Sequence, residues 1–128
     1  MPVGLGAFAR FCAVGVVGFV VDAGLTLALT QMAGWPPLPG RVLAFLVAAT
    51  VTWYLNRRFT FRSDKGAATW APYVALTAVG AGINVGTYMA WLWLAGAGAS
   101  NILTGVALGS VVALGFNFVA SRAIFTRG

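Results

Sequence analysis

The chain alternates long apolar runs with short polar breaks. Crossing a hydrocarbon core of about 30 Å takes about 20 residues at the helical rise. Four runs meet or approach that length, roughly 7–32, 38–55, 71–94 and 102–121. Between them lie "AGWPPLPG" (33–40), whose prolines cannot continue a helix, the charged "NRRFTFRSDKGAAT" (56–69) and the glycine-rich "AGAGASN" (95–101). "RAIFTRG" (122–128) reads as a polar tail. The pattern predicts an all-α integral membrane protein: one domain, 1–128, of four transmembrane helices arranged as two helical hairpins.

Composition strengthens this reading. Hydrophobic residues make up 60% of the chain and charged residues 8%. A soluble domain carries about 25% charge, so too little polar surface is present to cover a water-soluble globule. Net charge is +6, with the cations gathered where apolar runs stop. Arg10, Arg57, Arg58, Arg62, Lys65, Arg122 and Arg127 fall on one side of a four-span topology, and Arg41 alone lies at the other rim. The positive-inside rule makes the charged side cytoplasmic, with both termini there, and removes nucleic acid as the reason for the charge. Trp35, Trp91 and Trp93 lie near the uncharged ends, and Trp53, Tyr54 and Trp70 near the charged ends, as interfacial belts would. Arg10 is the only charge in the first ten residues and the run behind it is long, so the first span reads as a retained helix.

The halves, about 7–62 and 70–127, echo each other. Residues 11–29 align with 73–91 at an offset of 62, pairing Gly18 with Gly80, Asp22 with Asn84 and Gly24 with Gly86. An offset of 64 pairs Val42 with Val106, Arg58 with Arg122 and Phe61 with Phe125. Each half holds two spans, so the repeat is parallel. Small residues recur at spacing four in span three (Ala78, Gly82, Gly86, Ala90) and span four (Gly105, Gly109, Ala113). Such rows let membrane helices approach closely, and contact within one bundle is the first expectation for both. Four thin helices enclose little space, so a path for a large substrate would be easier to build between subunits. A homo-oligomer, a dimer first, is therefore expected.

Few residues could do chemistry. Cys12 is the only cysteine and histidine is absent, so neither a disulfide nor a structural zinc site is expected. Asp64 lies in a loop and Asp22 in a span, leaving no carboxylate pair for acid–base work. No phosphate-cradling glycine loop or metal motif is present, so the chain reads as a non-enzyme without cofactor. Asp22 is about 16 Å into the first span, where an ionised carboxylate costs about 3 kcal/mol or more and needs a partner, water or a proton. Asn84 is its repeat mate, and Asn117 and Asn56 lie towards the charged end. Together these four form a candidate intramembrane polar path. Interhelical hydrogen bonding is the plainer reading of each. Arg10, Arg57, Arg58 and Arg122 sit at charged ends that converge when the helices pack. Arginine forks match phosphate oxygens, which makes these four candidate lipid-phosphate ligands, with topology marking the plainer reading. Arg41 either caps the outer end of the path or snorkels to the interface.

"RFCAVGVVGFVVD", "LNRRFTF" and "NFVASRAIF" resemble, in order and over nearly the whole chain, the GtrA-like family. The pattern carries onto Arg10, Asp22, Asn56, Arg57, Arg58, Thr60, Phe61, Asn117, Arg122 and Phe125. In the second half Ala120 and Ser121 stand where Asn56 and Arg57 stand in the first. The resemblance implies a small four-helix protein of the bacterial inner membrane. It also implies a role in flipping polyprenyl-phosphate-linked sugars for surface polysaccharide or cell-wall synthesis, and a membrane glycosyltransferase is an expected partner. Two other readings stand: a non-transporting recruiter of that glycosyltransferase, and a small proton-driven exporter.

Overall fold

A computed structural model describes residues 4–127, so the outermost residues of the expected domain, 1–3 and 128, lie outside it. The first helix, α1, runs Leu5–Leu27 and continues as a π-helical turn, Ala28–Met32. The second, α2, runs Pro37–Leu55 and likewise continues as a π-turn, Asn56–Thr60. A short 3-10 turn, Ala67–Thr69, leads into α3, Trp70–Ala95, and α4 runs Ala99–Thr126. All four helices are long and apolar enough to cross a membrane. Their outer faces carry exposed apolar side chains such as Val16, Phe19, Val85, Leu103 and Val111, as contact with lipid requires.

Two boundaries differ from the sequence reading. The prolines of "WPPLPG" open α2 rather than only breaking the chain: Pro37 stands in its first turn, where no backbone N–H is needed. The expected tail, 122–126, is helical. Its apolar positions continue the buried face of α4, since Phe125 follows Ser121 by one turn and both are buried.

Packing within each hairpin is close: α1 lies on α2 and α3 on α4. Glycines set both seams: on the first, a methyl at Gly18 would collide with the Thr52 side chain. A methyl at Gly80 would collide with the Asn117 side chain, and one at Gly109 with the backbone oxygen of Asn84. The row Gly105, Gly109 and Ala113 is buried, as expected of it. The row on α3 is not: Ala78, Gly82, Gly86 and Ala90 are all exposed, and open space surrounds Gly82 and Gly86. The α3 face that packs inside the chain is Tyr73, Leu76 and Gly80 instead.

The two hairpins join at the charged end. Phe11, Phe61, Tyr73, Leu76 and Phe125 form a buried cluster there. Phe61 stacks on Phe125 at a centroid distance of 5.7 Å, and Phe118 packs edge-on against Phe8 and Phe11. Beyond Gly18 in α1 and Gly80 in α3, neither helix buries a residue. The other half of each hairpin is therefore held by its own partner helix alone.

Buried positions recur at fixed offsets. Ala7, Phe11, Val14 and Gly18 are matched 62 residues later by Thr69, Tyr73, Leu76 and Gly80. Gly40, Ala44, Ala48 and Asn56 are matched 65 residues later by Gly105, Gly109, Ala113 and Ser121. After the π-turn the offset is 64, from Phe61 to Phe125. A π-turn holds one residue more than an α-turn, and the Asn56–Thr60 turn absorbs that difference. The offset of 64 read from sequence thus describes the chain after the turn, and 65 relates α2 to α4 before it.

Candidate functional site

Between the hairpins a cleft runs inward from the aromatic cluster. Its deeper part is a cavity of about 180 Å³ to which all four helices contribute, with Asn56, Tyr73, Thr77 and Asn117 among its polar lining. A second cavity of about 140 Å³ is lined by Gly18, Asp22, Phe45, Ala48 and others. Thr52 and Thr77 line both, so the two cavities adjoin. The row from Asn56 and Asn117 past Thr52 and Thr77 to Asp22 is the most continuous polar feature inside the bundle.

Asn56 anchors the inner end. Its Nδ2 donates to the Tyr73 hydroxyl at 2.9 Å, and that hydroxyl donates to Thr52 Oγ1 at 3.0 Å. Thr60 Oγ1 donates to Asn56 Oδ1 at 2.8 Å. Asn56 and Thr60 are both buried, so this chain satisfies groups that would otherwise be costly and ties α2 to α3. Asn117 is different. It lines the cavity, but its Oδ1 is turned against Gly80 on the α3–α4 seam and is buried there without a hydrogen-bond partner among the described residues. Asn84, the fourth member of the expected path, packs against Gly109 on the α3–α4 seam and lines neither cavity.

At the outer end Asp22 has a partner. Arg41 Nη1 donates to Asp22 Oδ1 at 2.5 Å, and Thr26 Oγ1 donates to the same oxygen at 3.4 Å. Arg41 stands in the first turns of α2 and Asp22 ten residues before the end of the α1 π-turn. The guanidinium therefore reaches inward by roughly 9 Å along the bundle, away from the nearer rim. The Arg41 guanidinium is engaged by the Asp22 carboxylate within the hairpin. Both side chains remain partly exposed, Arg41 by 56% and Asp22 by 23%, so the pair stands at the mouth of the cleft.

The four rim arginines are not equivalent. Arg10 donates through Nε to the Phe59 carbonyl at 3.1 Å and through Nη2 to the Thr60 carbonyl at 3.2 Å. Those carbonyls end the π-turn and have no helical donor to meet them, so Arg10 caps α2 from α1. Arg57 lies 5.0 Å over the Trp53 ring and donates to the Lys65 carbonyl at 3.2 Å. Arg58 is exposed beside Tyr54, and Arg122 is exposed on α4. Arg10 and Arg57 thus hold the chain together, and Arg58 and Arg122 are the pair left open. Phe61 and Phe125, expected to support the motif, are the stacked centre of the aromatic cluster. Sequence reasoning missed Thr52, Tyr73 and Thr77. Their signal was available, since Tyr73 and Thr77 lie one turn apart on the α3 face that the repeat relates to Phe11 and Gly15.

Four apolar helices with a lipid-facing exterior and a polar seam inside define a multi-pass membrane protein. The family model described as GtrA/DPMS, transmembrane domain, matches residues 10–126, and the chain belongs to that family. No solved structure matches the chain.

Proposed function

We propose that this protein translocates a polyprenyl-phosphate-linked sugar across the bacterial inner membrane, for surface polysaccharide or cell-wall synthesis. Membership of the GtrA/DPMS family supports involvement with such lipids. The observation that carries the reading is the polar cleft between the hairpins, lined by Asn56, Tyr73, Thr77 and Asn117, with an ion pair at its mouth. A sugar is costly to desolvate in lipid, and hydroxyl partners along the cleft offset that cost while the polyprenyl chain stays in the bilayer. The phosphate meets exposed arginines, Arg58 and Arg122, at the charged end, taken as cytoplasmic together with both termini. No residue acts as an acid–base catalyst in this reading.

A second reading, a recruiter of a membrane glycosyltransferase, is supported by one observation: the small-residue face of α3 lies exposed and unpartnered. The same face suits a second copy of the chain. A proton-driven exporter is less well served, because the acid that suggested it is paired with Arg41.

The test is transbilayer movement of a polyprenyl-phosphate sugar in liposomes holding purified protein. Translocation predicts movement that falls at least about ten-fold in Asn117→Leu, one lost transition-state hydrogen bond in the path. Unchanged movement in that variant would remove Asn117 from the path. No movement by the folded wild-type protein, with a glycosyltransferase still retained, would favour the recruiter.

A further inference from the structure

A larger cavity lies outside the cleft. It is a groove of about 600 Å³ at the charged end, between the last turn of α4 and the segment that enters α3. Its volume falls in the range of small-ligand sites. Lys65 and Arg127 flank it, and Ala68, Pro72, Ala123 and Ile124 give it an apolar floor. Among the described residues no carboxylate lines it. Among the described residues neither cation has an ion-pair partner, since the one salt bridge is Arg41 with Asp22.

The walls of the groove are fixed by the chain itself. Ser63 Oγ donates to the Phe125 carbonyl at 2.7 Å and accepts from the Lys65 backbone N–H at 3.1 Å. Arg57 holds the Lys65 carbonyl from the other side. Thr69 turns its hydroxyl to the Gly66 carbonyl and receives the Trp53 indole N–H, so it offers nothing to a ligand. What remains open is a pair of positive charges over an oily floor at the level where the apolar helices end.

We infer that this groove seats the phosphate headgroup of an anionic lipid, with the first carbons of its chain on the alanine–proline–isoleucine floor. Two unpaired cations match one phosphate, and an apolar floor beside them excludes a fully hydrated anion as the preferred guest. The site deepens the translocation reading by giving the lipid phosphate a place to wait beside the bundle, distinct from Arg58 and Arg122. It rests on that reading only for the identity of the lipid.

The test is lipid binding, which needs no transport. Purified full-length protein in detergent is titrated with a polyprenyl monophosphate, the matching uncharged polyprenol, phosphatidylglycerol and inorganic phosphate, and bound lipid is counted by native mass spectrometry. The phosphate-bearing lipids bind about 20-fold more tightly than the polyprenol. Lys65→Gln and Arg127→Gln each lose about five-fold, and the double variant about 20-fold. Ala68→Leu fills the groove at an exposed position and weakens binding without changing charge. Arg62→Gln, a rim cation outside the groove, leaves binding as it was. Tighter binding of the polyprenyl phosphate than of phosphatidylglycerol makes the groove a substrate seat, and equal binding makes it a seat for anionic lipid in general. Either supports the site. Wild-type binding by the double variant, an equal loss in Arg62→Gln, or displacement of lipid by equimolar inorganic phosphate would overturn it. Binding that survives while liposome transport is absent would leave the groove standing and sink the translocation reading instead.

Discussion

Arg41 and Asp22 form the one salt bridge among the described residues, at 2.5 Å, and they do so across the α1–α2 hairpin rather than at its rim. An unpaired charge at membrane depth costs about 3 kcal/mol. Removing either partner alone should therefore destabilise the protein by about 2–3 kcal/mol, while Asp22→Leu with Arg41→Leu should recover most of that loss. Thermal unfolding of the two single variants and the double variant in detergent checks this. Additive losses in the double variant would mean that the pair carries no coupling.

Arg10 is predicted to matter for stability before it matters for any ligand. Its two hydrogen bonds close the carbonyls left open by the Asn56–Thr60 turn. Arg10→Ala should cost about 1.5 kcal/mol, the lower end for bonds from a charged donor because the contact lies at an exposed rim. Arg10→Lys should recover only part of this, since an ammonium cannot fork across two carbonyls as a guanidinium does. Chemical denaturation of the three proteins gives the comparison.

Gly80 and Gly82 stand two residues apart on α3 and should respond oppositely to alanine. At Gly80 the added methyl collides with Asn117, so Gly80→Ala should cost about 1–3 kcal/mol. At Gly82 the methyl meets open space, so Gly82→Ala should be neutral or stabilising by up to about 0.5 kcal/mol from helix propensity. Melting temperatures of the pair decide it, and equal losses would contradict the packing described for α3.

The aromatic cluster is the joint between the hairpins. Phe61→Ala and Phe125→Ala should each cost about 3–5 kcal/mol, the usual range for deleting a buried phenylalanine. The two losses should not add, because each ring stacks on the other. A double-variant cycle in denaturant measures the shortfall.

The number and approximate position of the helices were legible because lipid demands unbroken apolar runs. The 62-residue offset was legible in Gly18, Gly80 and their neighbours, and the buried positions follow it. Less visible was which face of α3 packs. Ala78, Gly82, Gly86 and Ala90 form the cleaner row, and spacing alone cannot tell a seam from an outward face. The offset could have decided it, since Gly80 is the residue it pairs with Gly18. The change of offset from 65 to 64 was hidden because "NRRFT" has no composition that announces a π-turn. The Asp22–Arg41 pair was hidden for another reason: a rim arginine is expected to turn to water, and only the hairpin geometry brings it inward. Arg10 and Arg57 read as phosphate ligands from charge alone, and their engagement with carbonyls and rings depends on backbone that folds nearly 50 residues away from Arg10.

The central claim is that the cleft carries the substrate, and Thr77 is the place to test it, because it lines both cavities and makes only a local bond to the Val74 carbonyl. Thr77→Phe should fill the junction while the hairpins stay joined by the aromatic cluster below. Movement of a polyprenyl-phosphate sugar across liposomes would be measured for wild type and for this variant, each shown to be folded by its thermal transition. The expected result is movement by the wild-type protein and its near-complete loss in Thr77→Phe. Wild-type movement in a folded Thr77→Phe protein would place the path elsewhere and contradict the cleft as the route.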